Sequence, residues 1–419
     1  MFRFLYSCVF YLAIPLVLLR LTWRSIREPG YREAISERFG FFRSAHAGEV
    51  IWIHAVSAGE TIAAAPLVKR LVASGYPCLV TNMTPTGRER TRVLLGDTVE
   101  NCYAPYDLPG SVSRFMRNNR PRLLVTIDTE LWPNMLAACD RDGVPAAVIN
   151  GRMAARSAEG YARVMSLTRP LLASLDLIAV QTEPHAERFR ALGARPETIR
   201  VTGSIKFDGE YPAGHESRLH AARELTGGRP LLLGASTHET EEEALLSALP
   251  SVMAVVPDVL LVLAPRHTHR ADHVARQCES IGYPVRRYSE GVAAGPDDRV
   301  LMLDTMGELE SYFPLARVAF IGGSLVPVGG HNLLEAVRAG TAVIMGPHLY
   351  NVEDITQQFV DQEAILVVND QQGLKDEVVG LMRDPGRTRR QTIRATQVLE
   401  ANRGSIERSE KLLTDLLSS

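Results

Sequence analysis

Short apolar runs, each followed by a helical pattern of apolar and polar residues, recur along this chain from about residue 48. Their richness in Val, Ile, Leu and Ala is typical of strands whose two faces are both buried. Because each run alternates with a helix, the pattern predicts α/β units on parallel sheets. The predicted strands are Val50–His54, Cys78–Asn82, Leu123–Ile127, Ala146–Asn150 and Leu177–Val180, and then Leu231–Ala235, Leu260–Ala264, Val300–Leu303, Val318–Ile321 and Ala342–Met345.

A stretch without any strand signal separates the two series. It covers residues 208–228 and contains Pro212 and Gly214, which is typical of a linker. We therefore predict two doubly wound, Rossmann-like domains, residues 26–207 and 208–419, that face a cleft. The charged helical stretch at the end of the chain is expected to close the second domain.

Residues 1–25 form a separate, apolar and aromatic segment, which we predict to be a membrane anchor. Its length is at the lower limit for a spanning helix, so it either crosses the bilayer once or lies in the interface. Arg24, Arg27 and Arg32 follow its apolar run, which ends at Trp23, and an excess of Arg on this side places the rest of the chain in the cytoplasm. A cleaved signal peptide is the alternative, but no small-residue cleavage site follows the apolar run.

Composition narrows the classes of function. The chain has 419 residues, too many for one ordinary hydrophobic core, which agrees with two domains. Its formal net charge is −2, with both signs spread along the chain, so we expect no nucleic-acid partner. The five cysteines are scattered and include no C-x-x-C pair, which favours a reducing compartment over disulfides or a cysteine zinc site.

The sequence HAVSAGE at 54–60 lies where the first predicted strand gives way to a helix. A dinucleotide-binding turn at this place would read G-x-G-x-x-G, and a nicotinamide-dependent oxidoreductase would require it. Here Gly59 is the only glycine and Glu60 follows it, so this motif fails the test. From the residues alone, Glu60 is either an acid that stabilises a helix N-terminus or a general base at the edge of the sheet.

Polar and glycine residues also follow the other predicted strands. In the first half these motifs are S-A-G-E (57–60), T-P-T-G-R (84–88), D-T-E-L-W-P-N (128–134), N-G-R (150–152) and Q-T-E (181–183). In the second half they are G-A-S-T-H-E (234–239), A-P-R-H (264–267), D-T-M-G-E-L (304–309), G-G-S-L-V-P-V-G-G-H-N-L-L-E (322–335) and G-P-H (346–348). Because the carboxyl ends of parallel strands meet at one edge of a sheet, we expect ligands at that edge in both domains.

The chain resembles the 3-deoxy-D-manno-octulosonic acid (Kdo) transferases, in motif order and over almost its whole length. The shared motifs are H-A-V-S-A-G-E, T-P-T-G-R, T-E-L-W-P-N, V-T-G-S-I-K-F-D, S-T-H-E, P-R-H, D-T-M-G-E-L and G-G-H-N-L-L-E. The resemblance implies a GT-B fold and an inverting transfer of Kdo from CMP-Kdo to a lipid A precursor (lipid IVA), in lipopolysaccharide inner-core biosynthesis. It also implies a position at the cytoplasmic face of the cell inner membrane. Asp128 and Ala336 differ from the family pattern, which often has Glu and Pro there.

The resemblance implies Glu60 as the general base, with Glu130 and Lys206 as further catalytic residues. An inverting transfer needs a base beside the acceptor hydroxyl and no carboxylate nucleophile. We expect the helix N-terminus to keep Glu60 deprotonated at neutral pH.

Three segments of the second half match those that bind CMP in the family. The matching residues are Pro265, Arg266, Met306, Gly307, Glu308, Asn332, Leu333, Leu334 and Glu335. Arg266 suits a phosphate and Glu335 suits the two hydroxyls of a ribose, whereas the backbone of 306–308 suits the edge of cytosine. Residues 329–332 are expected to open a helix whose N–H groups hold an anion.

We expect neither a metal nor another cofactor. The tripeptide 140–142 matches the D-x-D pattern, but it falls between a helix and the next strand, at the other edge of the sheet. Three histidines between 267 and 273 lie in a polar stretch without a fixed ligand spacing. CMP carries less charge as a leaving group than a diphosphate, so we expect Arg266, Lys206 and a helix N-terminus to neutralise it.

Two other classes of function stay open. A non-catalytic lipid-binding or scaffolding protein explains the anchor, but it leaves the charged strand ends without a role. A retaining or diphosphate-sugar GT-B enzyme on the same fold is the nearest alternative.

Overall fold

The structure is a computed structural model that describes residues 2–26, 28–211 and 214–418. Arg27 and Pro212, which were named above, lie outside these ranges. By its internal contacts the chain divides into two units, Met1–Glu210 together with Asn402–Ser419, and Tyr211–Ala401.

The first unit is built on a parallel sheet with seven strands among the described residues. The strands are β1 Ile51–His54, β2 Cys78–Asn82, β3 Glu100–Tyr103, β4 Leu123–Ile127, β5 Ala146–Gly151, β6 Leu177–Val180 and β7 Ile199–Val201. Their order is β3-β2-β1-β4-β5-β6-β7, so the winding direction reverses between β1 and β4. In doubly wound folds, ligands bind at the carboxyl ends of the strands beside such a reversal, the switch point.

Both faces of this sheet are covered, which explains why its strands are continuously apolar. Successive residues of a strand point to opposite faces. In β1, Trp52 packs on Phe115 in one core, with ring centroids 4.5 Å apart, whereas Ile51 and Ile53 belong to the other core together with Val68. The helices before and between the strands are α1 Phe2–Arg24, α2 Ala58–Ala73, α3 Pro85–Leu95, α4 Pro109–Asn119, α5 Pro133–Asp142, α6 Ala155–Arg163, α7 Met165–Ala173 and α8 Glu183–Ala191.

The second unit repeats this plan. Its strands are β8 Leu231–Thr237, β9 Leu260–Pro265, β10 Val285–Arg287, β11 Val300–Met302, β12 Ala316–Ile321, β13 Ala342–Met345 and β14 Leu366–Val367, and its helices are α9 His215–Leu225, α10 Glu241–Met253, α11 Ala271–Ser280, α12 Leu334–Arg338, α13 Glu353–Val360, α14 Gln371–Arg383 and α15 Pro385–Asn402. The parallel strands lie in the order β10-β11-β9-β8-β12-β13-β14, so the switch point lies between β8 and β12.

The last helix, α16 Ser405–Ser418, belongs to the first unit. Its Ile406 and Leu413 join the core that contains Ile205. The Asp208 carboxylate accepts hydrogen bonds from the backbone N–H groups of Gly404 and Ile406, both at 2.7 Å. This final helix differs from the expectation that residues 208–419 form the second domain, because its apolar side packs against α2 and the 205–208 helix in a core of the first unit.

All ten predicted strands are present, and the predicted class of two doubly wound α/β units is confirmed. The structure adds β3, β7, β10 and β14, none of which the sequence analysis predicted. These are the outer strands of both sheets, β7 and β14 at one edge and β3 and β10 at the other. They are short or carry charged residues, so they lack the apolar signal of the central strands.

Helix α1 is long and apolar enough to cross a membrane, as judged by its length and composition. Its Leu5, Leu12, Leu16 and Leu19 are exposed and follow one another at helical spacings, so they form one stripe. Ser7 is buried instead, because its hydroxyl exchanges hydrogen bonds of 3.1–3.2 Å with the side-chain amide of Asn134 in α5.

Candidate active site

The turn between β1 and α2 holds Glu60 by three hydrogen bonds. Ser57 caps α2: its hydroxyl accepts from the N–H of Glu60 and donates to Oε1 of the same residue at 2.7 Å. The other carboxylate oxygen accepts from the N–H of Val56, also at 2.7 Å. This reciprocal cap gives the carboxylate one fixed position at the switch point of the first sheet.

Burial raises the pKa of Glu60 to about 7. This value is the net result, because the hydrogen bonds from Ser57 and Val56 oppose the effect of burial while the negative charges of Glu130 and Asp128 add to it. The expectation that the helix N-terminus keeps Glu60 deprotonated at neutral pH was wrong, because the loss of hydration outweighs the helix end. Near neutral pH the carboxyl is divided between its two forms, which suits a group that has to accept a proton.

Glu130 follows β4, the strand on the other side of the same switch point. Its Oε2 accepts a hydrogen bond of 2.6 Å from the indole of Trp132, and the Trp132 ring meets the edge of His54 at 5.1 Å between centroids. Burial and the charge of Asp128 raise the pKa of Glu130. The first unit therefore brings Glu60, Asp128 and Glu130 within electrostatic reach of one another.

Asn150, at the end of β5, connects this acidic cluster to the segment of Lys206. The Nδ2 group of its side chain donates to Asp128, and its side-chain oxygen Oδ1 accepts from the N–H of Ile205 at 3.2 Å. Asp128 and Asn150 both adopt left-handed backbone angles, with φ of 57° and 64°, which are uncommon for residues with side chains. Lys206 is half-buried on the short 3₁₀ helix Ile205–Asp208 and is thus held at the same edge as Glu60.

The switch point of the second unit is organised by the fully buried carboxylate of Glu241. It accepts hydrogen bonds of 2.8–3.1 Å from four backbone N–H groups: His238, which follows β8, and Gly323, Ser324 and Leu325, which follow β12. One side chain thereby fixes both loops beside the reversal of strand order.

The segments expected to bind CMP lie at the carboxyl ends of three strands of the second sheet. Pro265 ends β9, and the N–H of Arg266, which is exposed, donates to the carbonyl of Thr237 at 2.9 Å. Met306 is exposed and Gly307 has a φ of 93°, so the backbone of 306–308 is accessible in the loop that follows β11.

Asn332 and Glu335 lie just beyond β12. The amide of Asn332 donates to the Glu335 carboxylate at 3.2 Å, while Leu333 and Leu334 are buried and fix the segment. Helix α12 begins at Leu334 and has five residues, so residues 329–332 lie before the helix and do not open it as expected. A helix this short has little dipole to offer.

Glu335 and Glu310 form a second acidic pair. Burial raises the pKa of Glu335, and burial together with the charge of Glu335 raises the pKa of Glu310 to about 7. Arg338 opposes both shifts and lies 3.6 Å from Glu310. Enclosing two carboxyl groups around one arginine costs free energy. Such an arrangement is typical of a functional site, here one suited to the hydroxyl groups of a ligand.

The residues considered for metal binding are placed as follows. Residues 140–142 form the exposed last turn of α5, where Arg141 pairs with Asp142 at 2.7 Å. The described part of the chain contains no group of three His, Cys, Asp or Glu residues suited to a metal ion.

Sequence reasoning missed Glu241 and the hydrogen bond between His238 and His331. Glu241 stands in the run Thr-Glu-Glu-Glu, which is typical of any helix N-terminus, and the motif itself drew attention to the exposed Glu239. A pattern of letters does not tell which of several acids turns inward.

Comparison with known proteins gives one consistent family. A family model described as 3-deoxy-D-manno-octulosonic-acid transferase (kdotransferase) matches residues 33–209. The chain is 34% identical to the 3-deoxy-D-manno-octulosonic acid transferase of Haemophilus influenzae, over 100% of this chain and 99% of that protein. It is 36% identical to that of Bordetella pertussis, over 96% of each. The UDP-GlcNAc 2-epimerase of Neisseria meningitidis, in its structure bound to UDP-GlcNAc, shares the fold. The two chains are 12% identical with a TM-score of 0.60, and the match covers 88% of this chain and 100% of that chain.

The role of Glu241 predicts a specific loss of stability. Glu241→Gln replaces one acceptor oxygen with an amide donor, so buried N–H groups lose their partner. We expect the free energy of unfolding of the second unit to fall by at least about 3 kcal/mol, since each hydrogen bond to a charged group contributes about 1.5–3 kcal/mol. Calorimetry measures the loss, and hydrogen exchange of the peptide 322–326 should become faster.

The matched control is Glu239→Gln, which changes an exposed acid two residues away. It should alter stability by less than about 0.5 kcal/mol. Equal stability of the two variants would show that Glu241 does not hold the loops.

Proposed function

Because the chain belongs to the 3-deoxy-D-manno-octulosonic acid transferase family, we propose that it transfers Kdo from CMP-Kdo to a hydroxyl of a lipid A precursor, with inversion at the anomeric carbon. The observation that carries the proposal is the position of Glu60. It is a half-buried acid with a pKa of about 7, fixed at the switch point of the first unit.

Glu60 is the general base of this mechanism. It accepts the proton of the acceptor hydroxyl while the oxygen attacks the anomeric carbon of Kdo. Since a base works best when its pKa lies near the working pH, the raised pKa of Glu60 makes it a stronger base than an ordinary carboxylate. No second carboxylate has to bond to the sugar, because inversion needs a single displacement.

Glu130 and Lys206 act beside that base. The negative charge of Glu130 contributes to the raised pKa of Glu60 and suits the positive charge that develops on the sugar ring in the transition state. The Lys206 ammonium stabilises the negative charge of the sugar carboxylate or of the leaving phosphate.

The second unit binds the CMP part of the donor. Glu335, steadied by Asn332, accepts hydrogen bonds from the ribose hydroxyls, and the guanidinium of Arg266 pairs with the phosphate. The accessible backbone of 306–308 reads the edge of cytosine. We propose that Arg266 and Lys206 replace a metal ion, since the leaving group is a monophosphate.

Helix α1 holds the protein at the cytoplasmic face of the inner membrane, where the lipid acceptor is found. Ser7 is bonded to Asn134, and the ring of Phe10 lies 6.2 Å from that of Tyr106, so the first half of the helix is attached to the first unit. To cross a bilayer, the helix would have to break these contacts. We therefore propose that it lies in the interface, with its leucine stripe among the acyl chains.

The base is tested by Glu60→Gln, which keeps the size of the side chain but cannot accept a proton. Turnover of CMP-Kdo and lipid IVA should fall by at least about 100-fold, while CMP affinity stays unchanged because the nucleotide is bound by residues of the second unit. The assay is run in EDTA without added cations, and NMR and mass spectrometry of the product establish its anomeric configuration and sugar number.

The wild-type enzyme should also show an acid limb in kcat/KM. A carboxyl base is active when ionised, so the rate should fall about tenfold per pH unit below the pKa of about 7. Asp128→Asn removes a charge that raises this pKa and should move the limb to lower pH.

The control Glu407→Gln changes an exposed acid in the first turn of α16 and should keep normal turnover. Near-normal turnover of Glu60→Gln would remove the base from the mechanism, and a wild-type enzyme inactive in EDTA would refute metal independence.

The donor site is tested by Glu335→Ala. We expect CMP affinity to fall by at least about tenfold in calorimetry, since hydrogen bonds to a charged group are worth about 1.5–3 kcal/mol. Glu353→Ala, an exposed acid in the first turn of α13, is the control and should bind CMP normally. Unchanged affinity of the Glu335 variant would contradict the assignment.

The membrane contact is tested by Leu12→Glu combined with Leu16→Glu. Two charges on the exposed stripe should release the protein from liposomes in flotation, yet leave activity on detergent-dispersed acceptor. Ile393→Glu, at an exposed apolar position of α15, should bind liposomes like the wild type. A tag on the N-terminus that reacts from outside intact spheroplasts would show that the helix crosses the bilayer instead.

A further inference from the structure

Two histidines meet at the switch point of the second unit. His238 follows β8 and His331 follows the loop after β12, and their Nε2 atoms are 2.9 Å apart. The ring planes differ by 12° and the centroids are 5.2 Å apart. The distance between the two Nε2 atoms plus the radius of each imidazole ring equals this centroid separation, so both centroids and both nitrogens lie on one line. The rings therefore lie edge to edge in nearly one plane, which is a straight N–H···N hydrogen bond.

This geometry limits the number of protons that the pair holds. In the neutral pair, one Nε2 carries hydrogen and the other accepts, so the two rings are opposite tautomers. A further proton on an outer nitrogen keeps the central bond intact. A second one would put two N–H groups face to face at 2.9 Å, so the pair has room for a single added proton.

The backbone is built to hold this contact. Glu241 accepts from the N–H groups of His238 and Gly323, and the carbonyl of Gly323 accepts from Gly329 and Gly330, directly before His331. A Cβ on Gly323, which has a φ of 66°, would lie 2.9 Å from Nε2 of His331. A glycine is thus required for His331 to approach its partner.

The surroundings of the pair are short of negative charge. The pKa of His331 is lowered to about 4. Burial is the largest cause, and the charge of Arg266 and the neighbouring imidazoles contribute to the same shift. Burial also lowers the pKa of His238. The charge of Glu241 opposes this shift, whereas His267, Arg270 and Arg266 add to it.

Two of those charges have other partners. Arg270 pairs with Glu242 at 2.9 Å, and the oxygens of Glu241 are occupied by backbone N–H groups. An anion bound beside Arg266 would therefore be the group that makes the charged form of the pair favourable.

We propose that the His238–His331 pair binds the donor's phosphoryl group together with Arg266, and takes up one proton when a phosphate monoester occupies the site. The inference rests on the proposed function, because it takes CMP as the nucleotide of the second unit. In the transfer, the bond between the anomeric carbon and the phosphate oxygen breaks, and its electron pair stays on the phosphate. CMP thus gains one negative charge, which the imidazolium pair balances, while the proton of the acceptor hydroxyl goes to Glu60.

The test is calorimetry of CMP binding at pH 7.5 in two buffers with different heats of ionisation. CMP is then already a dianion, since the second pKa of a phosphate monoester is about 6, so protons taken up go to the protein. We expect the wild type to take up a measurable fraction of a proton, up to one, per CMP. Cytidine, which lacks the phosphate, should take up fewer protons than CMP, and its uptake measures any contribution of Glu310 and Glu335.

The double variant His238→Gln, His331→Gln should bind CMP at pH 7.5 with no more proton uptake than the wild type shows with cytidine, a comparison that subtracts any proton linked to Glu310 and Glu335. His269→Gln, an exposed imidazole of the next loop, is the control and should keep the wild-type uptake. Should the double variant fail to fold, ¹⁵N NMR of the wild-type imidazoles gives the same answer, because CMP should shift one pair from neutral to charged.

The outcomes separate the two levels of the argument. A wild-type protein that does not bind CMP refutes the proposed donor and this inference together. CMP binding without proton uptake, or with equal uptake in the double variant, refutes the histidine pair alone and leaves the proposed function standing.

Discussion

Backbone N–H groups in the loops after buried strands and in the first turns of helices have no partner within a strand or helix, and each has to find an acceptor away from water. In this protein, carboxylates meet that need. Glu241 serves four N–H groups, Asp208 serves two, and Asp107 serves Asn134 and Met135 at the start of α5, at 3.0 and 2.8 Å. Because such charged acceptors form strong bonds, they fix the loops on which the candidate chemistry depends.

The same environment separates acids that support structure from an acid that is suited to react. Glu60 also accepts from the backbone, but with one N–H and one hydroxyl its bonds do not offset the cost of burial. Its pKa therefore rises to about 7, and the neighbouring Glu130 adds to the shift. A rigid cap and an incomplete compensation of charge together give a base that is both positioned and available.

The central strands were predictable because both of their faces are buried, and this leaves an uninterrupted apolar run. The outer strand β3, with the sequence Glu-Asn-Cys-Tyr, has no such signal. The strand-end motifs located Glu60 and Glu335, and the resemblance gave them roles. Their pKa shifts stayed beyond prediction because they depend on burial by residues distant in sequence. Likewise, the apolar side of α16 is visible in the sequence, but which of the two units it packs into is a property of the fold.

The placement of α16 has a consequence for the order in which this protein forms during synthesis. The second unit is one continuous stretch inserted into the first, and its chain enters and leaves where Asp208 bonds Gly404 and Ile406. Since the ribosome delivers residues in order, the second unit has all of its strands before the first unit receives its closing helix. The half that carries the base is begun first and completed last. Until then, the side of the core that Ile406 and Leu413 complete stays open, which is the kind of exposed apolar surface that chaperones recognise during translation.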